Sequence, residues 1–332
     1  MNLKTRYMGL ELANPFVAGA SFFSKDADAA KKLEDAGAAA MVLPSLFEEQ
    51  IMLEKLAAVK EMEAGTESFG EALSYLPEPE SLKFGSDIYV ENLRKIKKAV
   101  DIPVIASLNG YTYGGWANNA KMLEEAGADA IELNVYFAPT SPYINGLTVE
   151  KTLVSIAKLV TSIVKIPVSV KLSSQYSSVA NVCERLVDEA DVKGLVLFNR
   201  FFNPDIDIES LEMKPTLKLS TSDDLPLRLA WIGALSGKVK ASLSLTGGVH
   251  TVEDAVKAIM AGTDTIQVVS ALVGNGVEYL GVLKEGLADW LAKNGYTSLE
   301  QLSGSMSFAK CPNPEVYQRL NYMRLLKTWQ DL

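Results

Sequence analysis

Three segments of the chain share one hydrophobic layout: KKLEDAGAAAMVL (31–43), KMLEEAGADAIEL (121–133) and KAIMAGTDTIQVV (257–269). Each is the end of an amphipathic helix, then a glycine stop (Gly37, Gly127, Gly262), then a short apolar run. Glycine just past a helix can take the left-handed conformation that closes the last turn, so the pattern predicts helix, turn, strand. A second echo links KKAVDIPVIASL (97–108) to VTSIVKIPVSVKL (160–172). There a helix passes through Ile-Pro into a β-branched strand, with proline in the first strand position, where no ladder donor is needed.

Apolar runs without alternation belong to strands covered on both faces, as in parallel sheets. Eight are present, at 16–18, 39–43, 104–107, 130–134, 168–171, 194–199, 243–246 and 265–268. Most of the gaps have room for a crossover helix. Eight parallel β/α units predict an α/β fold of the (βα)8 TIM-barrel type, and the evenness of the repeats favours it over an open doubly wound sheet. The longest gap, about 44–103, opens on the helical pattern FEEQIMLEKLAAVKEMEAG and continues through the loop-like ESFGEALSYLPEPESLKFG. It is expected to be a lid-like insertion on the catalytic, C-terminal face of the barrel. The tail, about 296–332, reads as terminal helices packed on the barrel exterior. No linker or low-complexity segment interrupts the chain, so residues 1–332 are read as one domain.

Composition narrows the chemistry. With 32 Lys+Arg against 41 Asp+Glu the net charge is −9, which argues against a nucleic-acid groove or an anionic membrane surface as the main partner. One histidine, His250, and two cysteines, Cys183 and Cys311, leave no ligands for a His/Cys metal centre. A Ser-His-Asp hydrolase would have to use that single histidine. The cysteines make no spacing motif, which suits a reducing compartment. The N-terminus MNLKTRYMGLELANPF lacks the apolar stretch of a secretory signal, and no run of ~18 apolar residues is present. The expectation is a soluble cytoplasmic enzyme with a small-molecule substrate and neither a nucleic-acid nor a membrane partner.

Several motifs are decoys. GNGVEYLG (274–281) has the wrong spacing for a dinucleotide fingerprint, and GALSGKV (233–239) is one residue short of a P-loop and lacks its Ser/Thr. The alternating acids of NPDIDIES (Asp205, Asp207, Glu209) read as a solvated loop or edge, because nothing nearby completes a coordination shell. The stronger signal is LSLTGGVHTVEDAVKAIMAGTDTIQVVSAL (243–272). Gly247 and Gly248 follow the seventh strand, a helix opens with Thr251, Glu253 and Asp254, and Ser270 follows the eighth strand. Barrels commonly hold a phosphate in these two loops. His250 beside them reads as a helix-entry residue. Lys171 closes the apolar fifth strand, Asn134 ends the fourth, Asn199 and Arg200 end the sixth, and Ser107 and Asn109 follow the third. Converging amides and a cation suit a flat, hydrogen-bonding heterocycle with a phosphate tail, a description that fits flavin mononucleotide (FMN).

These residues resemble the dihydroorotate dehydrogenase family of FMN-binding barrels, over nearly the whole chain from LELANPFVAGA (10–20) to YTSLEQLSG (296–304). Asn14-Pro15-Phe16 is similar to the family's first-strand motif, which implies that Ala18, Gly19 and Ala20 approach the flavin. Glu132-Leu133-Asn134 is similar to the strand-four motif, Lys171 to the lysine on the isoalloxazine ring, and Asn199 to the strand-six asparagine. Gly247, Gly248 and Ser270 resemble the phosphate cradle. The resemblance implies FMN as cofactor, hydride transfer between a small substrate and flavin N5, and a role in pyrimidine biosynthesis if the substrate is dihydroorotate. Substrate contacts would come from Asn109, Glu67, Asn199 and Arg200.

The departures lie on the substrate side. The family's Cys or Ser base falls on Phe137, its strand-two lysine on Leu43 or Pro44, and Glu67 of ESFG (67–70) stands where an amide would grip orotate. Val269 replaces the second glycine of the strand-eight loop. An altered substrate is therefore the leading expectation, with Tyr136, Thr140 or Ser141 as candidate proton carriers. Authentic dihydroorotate oxidation, a Schiff-base lyase using Lys171, and a non-catalytic flavin-binding subunit are the alternatives. No cysteine cluster could hold an iron–sulfur centre, so such a relay would need a redox partner protein. A homodimer is the expected assembly.

Overall fold

A computed structural model of the chain describes residues 1–49, 51, 85–110, 112–135, 137, 139–200, 204–317, 322–323 and 326–327. Eight parallel strands close into a barrel: β1 (Phe16–Ala18), β2 (Ala40–Phe47), β3 (Val104–Asn109), β4 (Ala130–Leu133), β5 (Val168–Leu172), β6 (Gly194–Leu197), β7 (Ser242–Thr246) and β8 (Thr265–Val268). Each pairs with its sequence neighbour, and β8 returns to β1. Residues in β1, β3, β4, β6 and β8 are buried throughout, the result expected of strands with side chains inside the barrel and under helices on the other face. The fold is thus the (βα)8 barrel expected from the eight apolar runs.

The crossover helices are α1 (Ala27–Asp35), α2 (Gly85–Ala99), α3 (Tyr113–Glu125), α4 (Gly146–Ile163), α5 (Val179–Asp188), α6 (Leu225–Leu235), α7 (Val252–Ala261) and α8 (Tyr279–Lys293). The three repeat glycines all lie in the left-handed region, with φ of +99° at Gly37, +97° at Gly127 and +108° at Gly262. Pro103 and Pro167 stand one residue before their strands. Neither has an N–H to give, but their carbonyls accept from Met41 and Ile131 and so start the pairing.

Strand ends differ from expectation in a way that matters at the barrel mouth. β2 does not stop before Pro44 but passes it through a register shift between Val42 and Ser45, and continues to Phe47. β3 likewise runs on, so Ser107 and Asn109 lie within the strand instead of following it, paired with Ser45 and Phe47. β4 and β6 stop early, leaving Asn134 and Asn199 just past their strands, with their N–H groups donating to Leu108 and Leu172.

The N-terminal end is plugged by an antiparallel hairpin, Thr5–Tyr7 with Leu10–Leu12. Tyr7, Met8 and Leu12 pack under Val17, Ala40, Val42, Ile105 and Ala130. Gly194 is required there, because a Cβ would stand 2.8 Å from Met8 Cγ. After β2, residues 48, 49 and 51 begin a helix; 52–84 lie outside the described residues, and α2 is the barrel's own crossover helix. A four-residue helix, Leu299–Leu302, is followed by backbone bonds from Gly304 to Ile259, Met306 to Met260 and Phe308 to Gly233, which lay the chain across α6 and α7. Among the described residues no helix is long and apolar enough to cross a membrane.

Candidate active site

A cavity of about 640 Å³ opens at the C-terminal mouth of the barrel. A cleft of about 730 Å³ lies at the opposite end, beneath the hairpin, among exposed Lys165, Lys240 and the strand starts. The mouth is preferred as the site because the polar ends of several strands converge there, as barrel catalysis requires.

Its floor is built from polar residues inside apolar strands. Lys171 (β5) and Gln267 (β8) line the cavity, and Glu132 (β4) lies behind them at 1% exposure. Lys171 Nζ is 3.5 Å from Glu132 Oε1, and Gln267 Nε2 donates to Glu132 Oε2 at 2.5 Å. Next to this group the Asn199 amide donates to Asn134 Oδ1 at 2.7 Å, which locks the two strand-end asparagines together.

The far end is a glycine-lined cradle. Gly247 and Gly248 have φ of +81° and +89°, a conformation natural to glycine, and both line the cavity. A Cβ on Gly248 would stand 2.7 Å from the Leu225 nitrogen, and one on Gly247 3.1 Å from Arg228 Nη2. Arg228, on α6, is 6% exposed; its Nε donates to the Thr246 carbonyl and its Nη1 to the Asp224 carbonyl, each at 2.6 Å. Burial pulls its pKa below the usual guanidinium value, with the Asp224 charge opposing. No carboxylate forms an ion pair with it among the described residues. Gly248 N–H donates to Ser220 Oγ at 3.3 Å, and Ser220 N–H to Ser270 Oγ at 3.2 Å. Behind the cradle α7 starts with a reciprocal capping box between Thr251 and Asp254. Burial raises the Asp254 carboxyl, but bonds from Ser222, His250 N–H and Thr251 outweigh it and leave the pKa low. His250 enters this helix as expected, its Nε2 3.3 Å from Ser220 Oγ.

The other sequence candidates distribute unevenly. Ala20 and Arg200 line the cavity, whereas Ala18 and Gly19 do not. The small size of Gly19 serves packing, since its Cβ would meet Val269 at 2.7 Å. Ser107 is 1% exposed, bonded to Ser45 at 2.7 Å, and it is Ser45 that reaches the cavity. Asn109 is buried and also off the lining. Thr140 is exposed and Ser141 half-buried, its hydroxyl accepting from Tyr143 N–H, and neither reaches the cavity. Tyr136 and Glu67 lie outside the described residues. The alternating acids of 205–209 sit on an exposed hairpin, Pro204–Asp207 with Glu212–Pro215, and no group of three metal-ligating side chains occurs among the described residues. Sequence reasoning missed Arg228 and Gln267. Their shared signal is a polar residue in a buried apolar stripe, Leu225-Arg228-Ile232 on α6 and TIQV in β8.

The family model described as dihydroorotate dehydrogenase matches residues 82–291, well over half of the chain. A protein of Aeropyrum pernix, assigned by name as a dihydroorotate dehydrogenase A (fumarate), is 32% identical over 228 residues, 64% of this chain and 70% of that one. Two proteins named dihydroorotate dehydrogenase B (NAD(+)), catalytic subunit, align more fully. The Methanocaldococcus jannaschii protein is 26% identical over 91% of this chain and 97% of its own. The Methanosarcina mazei protein is 28% identical over 89% and 92%. With a closed barrel, a lysine and two asparagines at its mouth and a glycine cradle after β7, the chain belongs to the dihydroorotate dehydrogenase family.

Proposed function

We propose that this protein is an FMN-dependent oxidoreductase acting on a CH–CH bond of a small substrate other than dihydroorotate. The observation that carries the cofactor assignment is the cradle of Gly247, Gly248 and the buried Arg228, which forms no ion pair among the described residues, at one end of the cavity. A further feature fits FMN: the buried Gln267 Oε1 lacks a protein partner among the described residues. FMN held there supplies hydride acceptance and donation at its ring. The protein's part is binding and orientation. Arg228 and the backbone of residues 247–248 hold the phosphate, with Ser220 and Ser270 beside them. Asn134 and Asn199, fixed by their mutual bond, orient the ring edge. Lys171, on the cavity lining, would offer its cation to the ring and so favour the more negative, reduced form.

The substrate side supports a changed reaction. Phe137, at the position of the family's base, is 46% exposed and carries no transferable proton. Leu43, 1% exposed, and Pro44 offer no cation where the family has lysine. Thr140 and Ser141 stand off the cavity and do not substitute for the base. Lys25, Lys218 and Arg200, the last shared with Asp224 at 3.7 Å, stand at the rim with no Asp or Glu among the described lining residues, and favour an anionic small molecule. The names of the relatives keep authentic dihydroorotate oxidation as a second reading, with fumarate or NAD as acceptor. Transfer to NAD through an iron–sulfur centre would use a partner chain, because Cys183 is buried in α5 and Cys311 lies in the tail. A Schiff-base role for Lys171 is disfavoured by its ion pair with Glu132, an arrangement for the ammonium and not the free amine.

The test is turnover by FMN-loaded protein supplied with dihydroorotate and fumarate, NAD or a quinone, with orotate followed by absorbance. No orotate above the rate of heat-inactivated protein is expected with any acceptor. Orotate formation would overturn the altered substrate and leave the cofactor assignment standing.

A further inference from the structure

The polar group under the cavity contains one member that touches neither cavity nor solvent. Glu132 is 1% exposed and absent from the lining, while both of its partners, Lys171 and Gln267, belong to it. A carboxylate only accepts, so Gln267 must turn its NH2 toward Glu132, and its own carbonyl oxygen is left buried without a partner among the described residues. Lys171 is the one cation within ion-pair distance of Glu132 among the described residues. Burial, and after it the Glu132 charge, push the Tyr7 phenol below this group well above its usual range. An enclosed carboxylate of this kind depends on its single counter-charge, and the same counter-charge faces the cavity.

We propose that Glu132 sets the reduction potential of the bound flavin by balancing the charge of Lys171. Alone, the Lys171 ammonium would favour the reduced, more negative cofactor strongly; with Glu132 behind it, the floor is a nearly neutral pair with its positive end toward the ring. Glu132 is then a positioning residue that acts through Lys171, while also fixing which end of the Gln267 amide the ring meets. This inference rests on the FMN assignment above.

The test is the midpoint potential of bound FMN in wild type, Glu132→Gln, Lys171→Met and the double variant, measured by spectroelectrochemistry. Glu132→Gln leaves an unopposed positive charge, Lys171→Met an unopposed negative one, and the double variant neither. Glu132→Gln should bind reduced relative to oxidised FMN about tenfold more tightly than wild type, an upward shift of about 30 mV for a two-electron couple. Lys171→Met should shift downward by a similar amount, and the double variant should return toward wild type. A Glu132→Gln potential at or below wild type, or a double variant that tracks Lys171→Met, would overturn the proposal, since a carboxylate that only packs leaves the potential alone. Should Glu132→Gln fail to fold, Glu132→Asp keeps the charge but draws it away from Lys171; an upward shift supports the proposal and none overturns it. Failure of wild type to take up FMN removes the cofactor assignment as well, whereas loaded protein without the shifts removes this inference alone.

Discussion

Arg228 illustrates how much a single side chain can commit a site. A guanidinium at 6% exposure, bonded to two backbone carbonyls and to no carboxylate among the described residues, is costly unless an anion comes to it. Its neighbours at 247 and 248 are glycines in the left-handed region, and a Cβ on them would press on Arg228 and on the Leu225 backbone. Arg228→Met keeps most of the packing and removes the charge. The FMN dissociation constant, read by flavin fluorescence quenching, should rise about 10- to 100-fold, or ~1.4–2.8 kcal/mol. An unchanged constant in a folded variant would remove Arg228 from the cofactor site. Lys171 makes the complementary point. Its place at the end of an apolar strand announces a cation at the mouth, yet the Glu132 that balances it comes from the neighbouring strand and is visible only in three dimensions.

Strands and helices were legible in proportion to how local their causes are. The eight inner strands are apolar on both faces and the repeat glycines close helices within a few residues, so their pattern is written in short segments. Pro44 misleads for a physical reason: it has no N–H for the ladder, yet a register shift lets β2 pass it and bring Ser45 to the cavity. Asn134 and Asn199 were readable as strand ends, whereas the place of Ser107 depended on where β3 stops. Asp264, just before β8, ties that strand to β7 by accepting from Leu243 N–H at 2.7 Å. Burial raises its pKa to about 6 despite that bond. Because the folded value lies above the unfolded ~3.9, its contribution to stability is complete below pH ~4 and is lost as pH rises through 6. Asp264→Asn should therefore gain up to about 3 kcal/mol relative to wild type between pH 4 and pH 8, as followed by urea denaturation. A difference that does not change with pH would contradict the raised pKa of the half-buried Asp264.

At the scale of the whole molecule, the barrel separates two tasks. Its N-terminal end is closed by the Tyr7–Met8 hairpin and serves stability, while its C-terminal mouth gathers side chains from β2, β5, β7 and β8 and from the loops after β1, β4, β6 and β7 into one cavity. On the proposed reading, the cofactor side of that mouth follows the resemblance to the family, and the substrate side departs from it at Leu43, Pro44 and Phe137. The gathering of Asn134, Lys171, Asn199, Gly247 and Gly248 at one mouth was legible in the sequence, because each stands at or just past the end of an apolar strand. What it concealed were contacts such as Arg228 with residues 246–247 and Gln267 with Glu132, which join segments far apart in the chain. The central claim is that this mouth holds FMN, and the visible absorption spectrum of the purified protein, mixed with FMN and freed of excess by gel filtration, tests it most directly. The expected result is a yellow protein with flavin bands near equimolar occupancy that bleach on reduction. A protein that emerges colourless would contradict the account.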